Sequence, residues 1–285
     1  MNVHVSRRDP ITEKNARERA AAVLDPGTFR ELIDPFHRLV SPHLEPQGIA
    51  PQSDDGVVVA RGTIDDVSAV VVALDGRFQG GGIGEVGGAK IAGALELALR
   101  DATAGKGIRP VLILETGGIR LQEANLGLLA IAEIHAAIAA LRRRVPVVGV
   151  VPGMVGCFGG MGIAAGLCSD LIMTPQGRLG LNGPEVIEQE AGVTELDARD
   201  RAHIWRTIGG KTRTAVGLAD VLVPDDVGEI RDAVRRVFQR GVRPDPQCRS
   251  AEADIALSLL AAVDPNQPID EVGVQNLFAA PENGN

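Results

Sequence analysis

Short apolar runs along the chain alternate with longer stretches of helical periodicity. Residues 57–60 and 69–74 are rich in β-branched side chains and are separated by a segment with two aspartates, which predicts an antiparallel hairpin. Residues 110–115, 146–151 and 171–174 are almost continuously apolar. Such runs are typical of parallel strands that are buried on both faces.

Six segments with a helical pattern lie between or after these runs. They are residues 89–104, 122–143, 159–168, 197–208, 225–240 and 252–262. A further helix is predicted to begin with Asp9 as its N-cap and Pro10 in its first turn. The alternation predicts an α/β domain whose sheet is covered by helices on both faces. We divide the chain into an N-terminal helical extension (1–50), the α/β domain (51–245) and a C-terminal helix and tail (246–285).

Composition excludes several classes of function. The 285 residues carry a net charge of −8 and few aromatic side chains, six Phe and one Trp, which disfavours binding to nucleic acid. The sequence has neither a long apolar run that would span a membrane nor the apolar segment of a signal peptide. Its three cysteines lack the C-x-x-C spacing of a zinc site. We therefore predict a cytoplasmic protein that binds neither membranes nor metals.

Glycines concentrate in three loops, residues 80–84, 116–120 and 156–162, each at a predicted strand-to-helix junction. Backbone N–H groups at such junctions favour a phosphate or a developing oxyanion. Because the strands are predicted neighbours in one sheet, the loops are expected to converge on one crevice. They match neither the P-loop of NTPases nor the complete dinucleotide fingerprint. A kinase, an NTPase and a Rossmann dehydrogenase are therefore not predicted.

Side-chain nucleophiles and metal ligands are poorly supported. The five histidines are scattered, and His135 lies in an apolar helix, where a hydrogen-bonded core position is the commoner explanation. Cys157 stands at a helix N-terminus, which can activate a thiol, but no base lies near it in the sequence. The residues favour chemistry by main-chain amides, which stabilise an oxyanion without a side-chain nucleophile.

Five ordered motifs resemble one protein family. Residues 159–172 (GGMGIAAGLCSDLI) are similar to the second oxyanion-loop helix of the crotonase superfamily. Residues 16–32, 78–91, 116–134 and 179–192 resemble, in this order, the N-terminal carboxyltransferase half, or β subunit, of biotin-dependent acyl-CoA carboxylases. The resemblance covers residues 16–240. It implies a crotonase-like ββα superhelix, carboxyltransferase N-half, with an N-terminal helical extension.

Two differences from the acetyl-CoA carboxylase β subunit indicate which members of the family the sequence resembles most. The acetyl-CoA carboxylase β subunit carries a four-cysteine zinc ribbon, whereas here no cysteine precedes Cys157, and the usual S-G-G-A-R is T-G-G-I-R at residues 116–120. The sequence is most similar to the β subunits of biotin-independent malonate decarboxylases, which are carboxy-lyases. That resemblance implies three partners: a γ subunit with the matching carboxyltransferase half, an acyl carrier subunit and an acyl carrier transferase subunit. No cofactor is expected on this chain, because the CoA-like prosthetic group (phosphoribosyl-dephospho-CoA) belongs to the acyl carrier subunit.

The family reaction, as the resemblance implies it, decarboxylates a malonyl thioester to an enolate whose oxygen is held by two backbone amides. One amide is expected from Gly117, Gly118 or Ile119. The other is expected from Gly159, Gly160 or Met161. The active site is expected to be shared with the γ subunit.

Other residues near the motifs are expected to contact the substrate. These candidates are Gly81, Gly82, Gly84, Arg120, Cys157 and Phe158. Arg77, Lys90 and Arg120 are candidates for pairing with phosphate groups. Glu123 and Glu185 are candidates for returning a proton to the enolate, although an exposed helix carboxylate is the commoner explanation for each.

Three alternatives remain at this point. The chain could be a carboxyltransferase subunit of a biotin-dependent carboxylase or of a biotin- and sodium-dependent decarboxylase, either of which avidin would inhibit. It could be a non-catalytic scaffold for the γ half. It could also be a crotonase hydratase, although paired glutamates are not found in the usual places.

Overall fold

The structure, a computed structural model, describes residues 8–51, 55–153, 155–243, 253–264, 266–267, 269 and 271–279. Seven strands form one sheet in sequential order. The strands are β1 (Arg30–Leu32), β2 (Val57–Ile64), β3 (Val67–Leu74), β4 (Arg109–Ile113), β5 (Val148–Val151), β6 (Asp170–Met173) and β7 (Val221–Leu222). The helices are α1 (Ala16–Val23), α2 (Glu85–Thr103), α3 (Leu126–Leu141), α4 (Gly159–Leu167), α5 (Pro184–Ala191), α6 (Arg201–Ile208), α7 (Gly210–Ala215), α8 (Val227–Arg240), α9 (Ala253–Ala261) and α10 (Glu271–Ala279).

The sheet is mixed. The first three strands pair antiparallel, and β3 to β7 pair parallel. The predicted hairpin is confirmed: β2 and β3 are joined by Asp65 and Asp66, whose φ angles of 55° and 61° both lie in the left-handed region. That geometry fits the twist of a two-residue hairpin turn.

Helices cover both faces of the sheet, as predicted. Alternate residues of each strand point to opposite faces. Val57, Val59 and Leu112 belong to the apolar core beneath α2, α3 and α4. Val58 and Val111 belong to the second core, beneath α1 and α8. The parallel strands all end at the same edge of the sheet, and the glycine loops leave from that edge.

The N-terminal segment differs from its prediction. The first helix begins at Ala16 and not near Asp9, because Asn15 and Glu18 cap it reciprocally, each side chain accepting the other's backbone N–H. Residues 30–32 form the edge strand β1, so the first 50 residues are not purely helical. The three-part division of the chain remains a prediction.

The C-terminal part contains elements that periodicity missed, namely α5, α7, β7 and α10. Residues 244–252 and those after Ala279 lie outside the described residues. Within the part of the chain that the structure describes, no helix combines the length and apolarity needed to cross a bilayer.

Candidate functional site

The three glycine loops lie side by side in a second, small layer of backbone pairing. Ile83 pairs parallel with Ile119: its N–H donates to the Gly118 carbonyl and its carbonyl accepts the Arg120 N–H, both over 2.8 Å. The third loop joins through the pairing of residue 116 with Cys157. The predicted convergence of the loops is therefore confirmed.

Cys157 extends this layer to a fourth segment, since it also pairs with Leu179. The Phe158 N–H donates to the Thr116 carbonyl over 3.0 Å, and the Gly180 N–H donates to the Cys157 carbonyl over 3.2 Å. The start of α4 is thus held against the loop that follows β4.

Three of the six predicted donor amides are occupied within the chain. Gly117 N–H donates to the Gly80 carbonyl (2.8 Å), Gly118 N–H to Thr116 Oγ1 (3.1 Å) and Gly159 N–H to the Leu181 carbonyl (2.7 Å). Because each of these three amides already has a partner, the candidates that remain are Ile119 in the first set and Gly160 and Met161 in the second.

The amides of Ile119, Gly160 and Met161 donate to no residue that the structure describes. Parallel pairing turns the Ile119 amide away from Ile83, because residues on either side of it make the bonds to that strand. Gly160 and Met161 are the second and third residues of α4, where a helix leaves N–H groups without partners.

The Ile119 amide lies beside the start of α4. A Cβ built on Gly159 would lie only 3.9 Å from the Ile119 nitrogen and 3.1 Å from the Gly118 Cα. Gly159 itself has φ of 61°, which suits glycine. The arrangement offers two adjacent main-chain donors at the positive end of a helix, where a developing negative charge is stabilised.

The glycines of the first loop allow neighbouring groups to pack closely against the backbone. A Cβ on Gly81 would lie 2.0 Å from the Glu115 carbonyl oxygen, and one on Gly84 would lie 2.3 Å from Glu123 Oε1. A Cβ on Gly82 would lie 3.1 Å from the nearest carbonyl oxygen. These contacts explain why glycine stands at these positions, and substrate contact by the three residues remains a prediction.

Arg120 is buried in an ion cluster and is not positioned for a phosphate. Its side chain is 2% exposed, and Nη1 lies 2.8 Å from both carboxylate oxygens of Asp55. It also pairs with Glu123, which is fully buried. The prediction that Arg120 binds substrate phosphate is therefore wrong, and so is the explanation of Glu123 as an exposed helix carboxylate. Glu185, in the first turn of α5, is exposed as expected.

The other two candidate cations, Lys90 and Arg77, differ in their exposure to solvent. Lys90 is buried and donates to the Val57 carbonyl over 2.6 Å, so its predicted phosphate contact is wrong. Arg77 is exposed and pairs with Asp75. It lines a cavity of about 280 Å³ together with Arg17 and Phe78. Of the three candidates, Arg77 is the cation accessible to a ligand.

Cys157 and Phe158 are buried. The Cys157 side chain lies in the apolar core, and burial raises the pKa of its thiol well above the ordinary value. The buried thiol is therefore not accessible as a nucleophile. The Phe158 ring is 3% exposed and lies against the Arg178 guanidinium. Neither side chain is accessible to a substrate, and substrate contact through the main chain of these two residues stays a prediction.

The hydrogen-bond partners of two polar residues at the site, His135 and Asp55, are seen only in the fold. His135 Nε2 donates to the Gly160 carbonyl over 2.7 Å, which confirms that this histidine is hydrogen-bonded and places it against α4. Asp55 was not predicted, because it lies 65 residues from Arg120 in the sequence and no local pattern marks it.

Several large apolar side chains are exposed on α3, on α4 and on the loops that precede α3 and α5. Five of them are between 49% and 78% exposed: Leu121, Leu128, Leu129, Ile163 and Leu181. We name this set the apolar rim. Exposed apolar clusters of this kind mark interaction surfaces.

Comparisons with known proteins show the family to which the chain belongs. Residues 10–270 match the family described as carboxyl transferase domain. A Malonomonas rubra protein, the malonyl-S-ACP:biotin-protein carboxyltransferase MADC, is 44% identical over 238 residues, 80% of this chain and 75% of its own length.

Two solved structures are also similar. A chain of a Pseudomonas malonate decarboxylase hetero-tetramer in complex with malonate superposes with a TM-score of 0.91 and 56% identity, over 95% of this chain and 97% of its own. A chain of the Pseudomonas MdcD–MdcE hetero-dimer has a TM-score of 0.75 and 51% identity, over 89% and 97%. The predicted fold and family resemblance are confirmed.

Proposed function

Because this chain belongs to the carboxyl transferase domain family, we propose that it is the β subunit of a malonate decarboxylase complex, a carboxy-lyase acting on a malonyl thioester. The observation that carries the proposal is the pair of free amides at Ile119 and Gly160. The similarity to malonate decarboxylase chains over nearly the whole sequence supports the choice of substrate.

The proposed chemistry uses main-chain donors. When the carbon–carbon bond to the carboxylate breaks, its electron pair moves into the thioester carbonyl, and negative charge develops on that oxygen. The Ile119 and Gly160 N–H groups would donate to this oxygen, with Met161 as the neighbouring donor on α4. Removing one such donor typically costs about 100- to 1000-fold in rate.

We do not propose Glu123 as the donor of the proton that returns to the enolate carbon. Its Oε1 accepts from Arg120 and its Oε2 accepts the Glu85 N–H, so both oxygens are held by the fold. We propose that the donor comes from the partner side of a shared site.

The proposed partner is the γ subunit, the second carboxyltransferase half, and the apolar rim is its docking surface. Leu128 and Leu129 lie on α3, and Ile163 lies on α4 three residues after Gly160. We propose that a partner seated on these helices would also exclude water from the reacting thioester. The similarity to a chain of a hetero-dimer supports a partner subunit of this kind.

The malonyl group would arrive on the prosthetic group of an acyl carrier subunit, loaded by an acyl carrier transferase subunit. Arg77, exposed beside its cavity, is the proposed contact for the phosphates of that arm. The amides of Ile119 and Gly160 are proposed to hold the thioester carbonyl, and this chain is proposed to hold no cofactor of its own.

A second candidate function is favoured by the similarity to MADC, a biotin-protein carboxyltransferase. There the same enolate would form, but the carboxyl group would pass to a biotin carried by another protein. The choice of decarboxylase is supported by the higher identity to the hetero-tetramer chain, 56% against 44%, over a larger share of this sequence.

The experiment is reconstitution of the chain with its proposed γ, carrier and transferase subunits. Release of CO2 from the malonyl carrier is measured with and without avidin. The proposal expects release that avidin does not inhibit. Release that requires a biotinylated acceptor would favour the second candidate, and an inactive but assembled complex would contradict both.

A further inference from the structure

The buried guanidinium of Arg120 connects three separate segments of the chain. Its Nη1 donates to Asp55, just before β2, and to Glu123, just before α3. Its Nη2 donates to the Gly82 carbonyl over 2.8 Å. The side chains of Arg120, Asp55 and Glu123 are almost completely excluded from solvent, at 2%, 2% and 0% exposed.

Both carboxylates of this cluster also reach the start of α2. Glu123 Oε2 accepts the Glu85 N–H over 2.7 Å, and Asp55 Oδ2 accepts the Gly87 N–H over 3.3 Å. Two acidic side chains of the cluster thus lie at the N-terminus of α2, where the helix dipole favours negative charge. The cluster is therefore fixed to a long, well-packed helix.

The same residue holds the first glycine loop with its backbone. The Arg120 N–H donates to the Ile83 carbonyl over 2.8 Å, while its side chain binds the carbonyl of residue 82. Residue 120 is thus held by both its main chain and its side chain, directly after Ile119. Since a peptide is planar, holding residues 118 and 120 against Ile83 fixes the direction in which the Ile119 N–H points.

We propose that Arg120 is a positioning residue, which acts through Asp55, Glu123 and Gly82 to aim the Ile119 amide at the substrate oxygen. This inference rests on the proposed function. It differs from a structural role because misplacing a donor by about 1 Å can lower the rate on the order of 100-fold, while substrate binding elsewhere is unchanged. The guanidinium geometry is essential, because a lysine ammonium cannot hold two carboxylates and a carbonyl in one plane.

The test uses the assembled complex with Arg120→Lys, Arg120→Met and Glu123→Gln. We expect kcat for CO2 release to fall about tenfold or more in each variant, and further for Met than for Lys, with KM within about twofold of the wild type. Glu123→Gln keeps an acceptor for the Glu85 N–H, so it decides the question if Arg120→Met does not fold. A kcat within twofold of the wild type in an assembled Arg120→Lys or Glu123→Gln complex would overturn the inference.

The matched control is Arg243→Met, which breaks ion pairs in a partly buried cluster away from the loops. Arg243 pairs with Asp170 over 2.6 Å and with Asp220 over 2.9 Å. We expect this variant to lose thermal stability with kcat unchanged. An equal loss of kcat in Arg243→Met would assign the Arg120 effect to general destabilisation and overturn the inference.

A failure of the proposed function can be distinguished from a failure of the inference about Arg120. If the wild-type complex transfers carboxyl groups to biotin and releases no CO2, the decarboxylase proposal fails, and the Arg120 variants are then compared in the transfer reaction, which uses the same enolate oxygen. A wild-type complex that catalyses neither reaction overturns both proposals.

Discussion

Gly118 and Gly159 meet backbone to backbone: a Cβ built on Gly159 would lie 3.1 Å from the Gly118 Cα. The contact joins the loop after β4 to the first residue of α4. It places the Ile119 amide beside the helix end that holds Gly160, so the two proposed donors depend on this approach.

Replacing Gly159 with alanine should therefore separate the donors. The new methyl group would push the loops apart by tenths of an ångström, and φ of 61° costs an alanine about 1–2 kcal/mol. We expect kcat of the complex to fall on the order of 100-fold. Gly93→Ala on α2 is the control, because a Cβ there meets nothing within 4 Å, and it should leave kcat unchanged. Wild-type kcat in Gly159→Ala would contradict the proposed donor pair.

Neighbouring glycines in the first loop should respond very differently to alanine. Gly80 and Gly81 both have positive φ, 62° and 70°. A Cβ on Gly80 meets nothing, whereas one on Gly81 would overlap the carbonyl oxygen of Glu115. In urea unfolding we expect Gly80→Ala to lose about 1 kcal/mol and Gly81→Ala about 3 kcal/mol. Equal losses would show that the loop does not pack against β4 as described.

A charge in the apolar rim should block assembly with the partner. We expect Ile163→Glu to fold with wild-type stability, because the side chain is 49% exposed, and to lose most binding to the γ subunit in analytical ultracentrifugation. Leu97→Glu is the control: this exposed leucine lies twelve residues along α2 from Glu85, about 18 Å from the start of the helix. Undiminished binding by Ile163→Glu would contradict the docking surface.

The cap of α8 should give a pH-dependent contribution to stability. Asp226 accepts the backbone N–H of Asp9 and those of Gly228 and Glu229, and these bonds hold its pKa below the ordinary 3.8. A carboxyl with a lowered pKa stabilises the fold fully above its unfolded pKa, and the stability is lost as pH falls through the folded value. We expect Asp226→Ala to cost about 1 kcal/mol at pH 7. The difference from wild type should diminish below pH 3.8, and a pH-independent difference would contradict the charged cap.

The sheet was predictable because its signal is local. The hairpin, the parallel strands and the covering of both faces follow from runs of Val, Ile and Leu, and the helix 159–168 agrees closely with α4. The start of the first helix is predicted incorrectly because Asp9-Pro10 resembles a helix start. In the structure the reciprocal cap of Asn15 and Glu18 begins the helix instead.

The site was predictable only in part. The glycine loops indicated which segments would meet, but not which amides would stay free, since that depends on partners such as Gly80 and Leu181, which are distant in sequence. The sequence suggests Arg120 and Lys90 as ligand-binding cations because it does not reveal their burial. The pairing of Arg120 with Asp55 depends on where β2 begins relative to α2.

An N–H group is present at position 119 whichever side chain the residue carries, proline excepted. The proposed donor therefore sets no requirement on the chemistry of the side chain at 119, whereas the φ of 61° at position 159 favours glycine. A site of this kind depends on the conformation of the backbone. A search of the sequence for reactive side chains would therefore not find it.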